Sequence, residues 1–193
     1  MASRSKPSPS LLRAFQQVGR DLFLQGLNTS HSGNLSVRMR ECVWVTHRGA
    51  PLGRLAGRHL VPVDLADPGA AAPAASSELP VHLAVYRQED AGAVVHAHPP
   101  AVVALSLRRD RIEPVDLEGA CYFPTVEVIP SPAPHDPREA AVPIARALGS
   151  ARIVVVRGHG TFSRGADLWE AFHWASALEH SCRILLLSFL RAP

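Results

Sequence analysis

Two short stretches constrain the fold most: AVVHA at residues 93–97 and RIVVV at 152–156. Runs this short and this apolar read as buried strands, which need helices packed over them. Candidate helices are present. Leu11, Leu12, Phe15, Val18, Leu22 and Phe23 recur near the helical period, with Ser8 or Ser10 as cap and Gly26 as stop. Further helices are expected at about 78–88, capped by Ser76 or Ser77 with Pro80 in the first turn. Others are expected at 101–107, at 138–148 despite Pro143, and at 167–190. GNLSVRM and CVWVTHRG read as two strands around a turn at residues 40–41, and 126–129 as another strand. DPGAAAPAA, PSPAPHDP and RGHGTFSRG read as loops. Hairpin-like neighbours combined with crossover helices imply a three-layer α/β/α domain with a mixed sheet.

The chain has 193 residues, 47% of them hydrophobic, which suits one ordinary domain over 11–193 behind a loose polar arm at 1–10. That arm lacks the apolar stretch of a signal peptide. No apolar run is long enough to span a membrane, so no membrane partner is expected. The net charge of +3 comes from scattered arginines, and Lys6 is the only lysine. A nucleic-acid surface needs a basic patch or stripe, so nucleic acid is not expected as a partner. A mildly basic enzyme that handles a small anion fits better. Cys42, Cys121 and Cys182 are odd in number and far apart. They are expected as buried, inert thiols in a reducing, cytoplasmic setting.

His96 and His98 lie two apart on the expected strand and so share one face. They can converge on one metal ion, or they are two unrelated core or surface histidines. His159, between glycines in VVVRGHG, is the candidate third ligand, since catalytic zinc typically keeps three protein ligands and one open position. Alone, it would pass for a turn residue. Glu78, behind Ser76 and Ser77 in SSELPVH, is the acid–base candidate; a carboxylate there also favours the helix N-terminus. His82 shares a helical face with Glu78, either as a support for the site or as a core histidine.

In order, GNLSVR, VTHRG, SSELPVH, HAHP and RGHG resemble the class II aldolase/adducin family over about 11–190. The resemblance implies a mostly antiparallel central sheet. It implies Zn2+, or another divalent transition metal, held by His96, His98 and His159, with Glu78 as acid/base and as an additional ligand when substrate is absent. It implies a phosphate site of Gly33, Asn34, Gly49, Ser76 and Ser77, a sugar-phosphate substrate, and a homotetramer with sites at subunit interfaces. The implied reaction is reversible cleavage of a fuculose-1-phosphate-like ketose to dihydroxyacetone phosphate and an aldehyde. Epimerase, dehydratase and decarboxylase chemistry would use similar ligands, and adducin-like domains keep the fold for assembly. Arg48 stands before Gly49 where the family has threonine or serine, and is expected to bind the phosphate. The loop at 130–137 lacks the family's acidic tyrosine, leaving His135 as the titratable candidate there.

Overall fold

The computed structural model describes residues 6–87, 91–131 and 136–190. His135 and the expected helix end at Gln88 lie outside the described residues. Among the described residues eight strands form one sheet: β1 (Asn34–Met39), β2 (Cys42–Thr46), β3 (Leu60–Asp64), β4 (Ala93–Ala97), β5 (Arg111–Ile112), β6 (Val126–Ile129), β7 (Ile153–Val156) and β8 (Gly160–Gly165). Their spatial order is β3-β2-β1-β4-β8-β7-β6-β5. Only β6 and β7 pair in parallel; the other neighbours are antiparallel. The sheet is thus mixed and mostly antiparallel.

Among the described residues six α-helices flank it: α1 (Pro9–Leu24), α2 (Leu79–Val85), α3 (Pro100–Ser106), α4 (Leu117–Tyr122), α5 (Pro137–Ser150) and α6 (Leu168–Ser188). Alternation along β4 shows why helices are needed on both faces. Val94 joins the core under α2 and α5, whereas Ala93, Val95 and Ala97 join the core with α1 and the start of α6. β7 divides likewise: Val154 and Val156 face α2 and α5, and Ile153 and Val155 face α3 and α6. Side chains that alternate between two apolar layers need no polar face, so both strands read as continuous apolar runs.

Local chemistry sets the ends of α1. Ser8 accepts from Leu11 N at 3.2 Å, and Gly26 takes φ +70° after the last turn. Pro143 sits inside α5 on its exposed side, so the carbonyl that loses its partner can meet water.

The structure corrects several sequence expectations. Six of the nine residues of RGHGTFSRG form strand β8, paired on both edges despite its glycines and polar residues. Neither serine caps α2. Glu78 is the N-cap residue, and Ser76 Oγ accepts the Glu78 N–H at 3.2 Å. β3, β5 and α4 were not anticipated; Pro62 is tolerated in β3 because that strand is at the sheet edge. Of the cysteines only Cys182 is buried, and burial pushes its thiol up to about 12. Cys42 is half-buried and Cys121 exposed.

Candidate metal centre and substrate cavity

The three histidines reach one point because three separate connections are short. His96 is the fourth residue of β4, and its partner across the ladder is Asn34 of β1. His98 follows the strand, and its N–H is held by Leu27 O at 2.9 Å and Asn28 Oδ1 at 3.0 Å. His159 stands in the β7–β8 turn, where its N–H returns to Val156 O at 3.0 Å. Gly158 supplies the positive φ of that turn, +67°. Gly160 has a different reason. A Cβ there would lie 2.2 Å from Ala97 O and 2.8 Å from His98 Cδ2, so only glycine lets β8 approach the end of β4 so closely.

One donor nitrogen from each of His96, His98 and His159 lies within 4.8 Å of the others. The His98 and His159 rings stack at 5.2 Å, and His96 meets His98 edge-on at 4.6 Å. His96 Nδ1–H donates to Thr161 O at 2.9 Å, which leaves Nε2 with its lone pair toward the cluster. Its ring also stacks on Phe162 at 4.1 Å. Burial, and secondarily the His98 and His159 rings, hold the His96 pKa well below the ordinary value. A neutral, oriented imidazole is what a divalent transition metal requires, so this donor set fits one.

The cluster opens into a cavity of about 260 Å³. Its wall contains the expected metal, acid–base and phosphate-binding residues together: Gly33, Asn34, Arg48, Gly49, Ser76, Ser77, Glu78, His96, His98 and His159. Glu78 is buried there but is not part of the mutually close donor set, which among the described residues is the three imidazoles. Arg48 is exposed and makes no ion pair with a described residue. His31, Ser32 and His47 also line the cavity and were not singled out. His47 lies inside VTHRG, next to Arg48, and that adjacency was the available signal. His82 is a core histidine, fully buried, and is bonded to Asn34.

The family model of the class II aldolase and adducin N-terminal domain matches residues 13–186. The chain belongs to the class II aldolase/adducin family. It is an enzyme of the class II aldolase superfamily, whose aldolases are metal-dependent. A crystal structure of L-fuculose-1-phosphate aldolase from Thermus thermophilus superposes with a TM-score of 0.88 at 40% identity, covering 94% of this chain and 97% of that one. A protein of Nocardia farcinica is 32% identical over 88% of this chain; it is named as a probable bifunctional methylthioribose-1-phosphate isomerase/methylthioribulose-1-phosphate dehydratase. The chain spans only 34% of that protein's length. A 3-oxo-tetronate 4-phosphate decarboxylase of Haemophilus influenzae is 30% identical, with 87% of this chain and 83% of that protein covered.

Proposed function

We propose that this enzyme is a zinc-dependent aldolase that reversibly cleaves a ketose 1-phosphate, fuculose-1-phosphate-like, to dihydroxyacetone phosphate and an aldehyde. One observation carries the reading: three convergent imidazoles, a buried carboxylate and a set of anion-binding groups line a single cavity. Likeness to the Thermus aldolase over nearly the full length of both chains supports it.

His96, His98 and His159 would hold the cation, which when bound supplies Lewis-acid polarisation of the substrate carbonyl. Glu78, on the same cavity wall, serves as the acid/base. In cleavage the C4 hydroxyl gives up its proton to water and becomes the aldehyde carbonyl, the C3–C4 bond breaks, and its electron pair passes to C3, the carbon next to the ketone, giving an enediolate. Glu78 returns a proton to that carbon to complete dihydroxyacetone phosphate; in synthesis it removes the same proton. It is also the residue we assign as an additional metal ligand when substrate is absent. Arg48, Gly33, Asn34, Gly49, Ser76 and Ser77 bind the phosphate. Backbone N–H groups at the glycines approach it closely, and the arginine adds charge. The active unit is read as residues 11–193 in a homotetramer with sites at subunit interfaces. The free cysteines are consistent with a cytoplasmic enzyme.

A second reading has the same site act as a dehydratase or decarboxylase of a sugar phosphate. The names carried by the Nocardia and Haemophilus relatives favour keeping it in view. Incubation with dihydroxyacetone phosphate and a panel of aldehydes separates the two. The aldolase reading expects condensation products that disappear on chelation. Loss of water or of carbon dioxide from a sugar phosphate, with no condensation, would replace it.

A further inference from the structure

Behind the cavity wall runs a buried chain of polar groups. Asn34 and Ser36 sit two apart on β1, facing the same side as His96 and Val94, their ladder partners. α2 packs over them and inserts His82 and Tyr86, both fully buried. Tyr86 Oη lies 2.7 Å from Ser36 Oγ, Ser36 Oγ lies 2.5 Å from His82 Nδ1, and His82 Nε2 lies 2.5 Å from Asn34 Oδ1. The His82 ring meets Phe162 edge-on, and Phe162 in turn stacks on His96.

The direction of this chain follows from donor and acceptor chemistry. Burial pushes the Tyr86 phenol up, so it keeps its proton. The His82 ring is wholly buried and its two nitrogens meet Ser36 and Asn34, with no carboxylate among its described partners, so the imidazole is neutral. Asn34 Oδ1 can only accept, so His82 Nε2 donates to it; Nδ1 of a neutral ring then accepts from the Ser36 hydroxyl, which leaves the Tyr86 O–H to donate to Ser36 Oγ. The amide oxygen is thereby occupied, and the NH2 of Asn34 is left on the cavity side without a partner among the described residues.

We infer that His82 is a positioning residue: with Ser36 and Tyr86 behind it, it locks the Asn34 amide so that its NH2, never its carbonyl, faces the anionic group of the substrate. An asparagine amide can turn over, and in the wrong sense it would present a lone pair to an anion. A one-way chain of donors removes that option. The inference rests on the proposed phosphate-binding role of the cavity.

The test reads the tautomer directly. In the full, metal-loaded chain with ring-15N histidine, the His82 signals are assigned by their loss in His82→Gln. The expected state is neutral with the proton on Nε2. A proton on Nδ1, or on both nitrogens at neutral pH, would overturn the inference. In Tyr86→Phe the terminal donor is gone and Ser36 is free to accept. Both tautomers should then be populated, and titration with inorganic phosphate should show affinity about 3- to 10-fold weaker. A mixed tautomer with unchanged phosphate affinity would overturn the positioning role. If the unsubstituted protein bound no phosphate, the sugar-phosphate reading would fall, while the tautomer would still decide the relay.

Discussion

At the residue scale, Arg48 is one of the positions where this chain departs from the pattern of the aldolases it resembles. It lies on the cavity wall, exposed, without a carboxylate partner among the described residues. Charge-assisted bonds to phosphate contribute roughly 1.5–3 kcal/mol. Arg48→Ala should therefore weaken a phosphorylated substrate by ~10- to 150-fold and leave an unphosphorylated analogue nearly unchanged. Equal loss for both in steady-state kinetics would show that Arg48 does not read the phosphate. Gly160 makes a second residue-scale prediction. A methyl group there collides with Ala97 O and His98. Gly160→Ala should cost roughly 1–3 kcal/mol of stability and also loosen the metal. Denaturant unfolding and metal retention on dialysis measure both, and a variant matching the parent in both would show that the approach of β8 is slack. HAHP and RGHG were legible as chemistry because histidine spacing maps directly onto strand geometry. The packing reason for Gly160 was not, because the clash comes from a strand more than sixty residues away in sequence.

At the element scale, α3 is the brace of the metal centre. Its first N–H groups, from Ala101 and Val102, donate to the buried Glu179 carboxylate on α6 at 3.0 and 3.1 Å. Arg183 pairs with the same carboxylate at 2.8 Å. At the other end, Ser106 Oγ accepts the Gly158 N–H at 2.9 Å, and Arg157 donates to Ser106 O at 2.6 Å. Arg157 also pairs with Asp110. One short helix thus links the turn after His98 to the turn that carries His159. Glu179→Ala strands two buried N–H groups and should cost roughly 2–4 kcal/mol. Metal affinity should fall with it, as read by denaturant titration and competition with a chelator. A loss below about 1 kcal/mol, with unchanged metal affinity, would remove α3 from this role. The sequence made α3 itself visible through Pro99-Pro100 and its apolar pattern. It hid β8, because GTFSRG has loop composition and becomes a strand only through pairing with β4 and β7. It also misplaced the start of α2, where Ser76 supports Glu78 and does not cap the helix itself.

At the scale of the whole molecule, the two-sided sheet has a thermodynamic consequence. Its interior holds His82 and His96, both driven toward the neutral form by burial. The titratable groups facing His82 are Tyr86 on its own helix and His96 across Phe162. His82 falls to about 3 in the folded protein, from 6.5 for a free side chain. Between those values the unfolded chain takes up a proton that the folded chain refuses. Stability is therefore complete above about pH 6.5 and is lost as the pH drops toward 3, by about 1.4 kcal/mol per pH unit from His82 alone. Urea unfolding at a series of pH values should show this decline beginning near pH 6.5; a flat profile down to about pH 4.5 would contradict the neutral core histidine. The mixed character of the sheet was legible from the run of hairpin-like and crossover connections. Its spatial order was not, because the return of β8 between β4 and β7 depends on tertiary pairing.

The central claim is that three imidazoles, Glu78 and the phosphate-binding wall act together on a phosphorylated ketone. Hydrogen exchange at the carbon next to the carbonyl of dihydroxyacetone phosphate tests it most directly, since no aldehyde has to be known. In deuterated water, followed by proton NMR, the zinc-loaded protein should exchange one hydrogen. The exchange should stop on chelation, return with added Zn2+, and be largely absent in Glu78→Gln that still retains its metal. No exchange by the zinc-loaded protein, exchange that persists after the metal is removed, or near-normal exchange in the Glu78 variant would contradict the account.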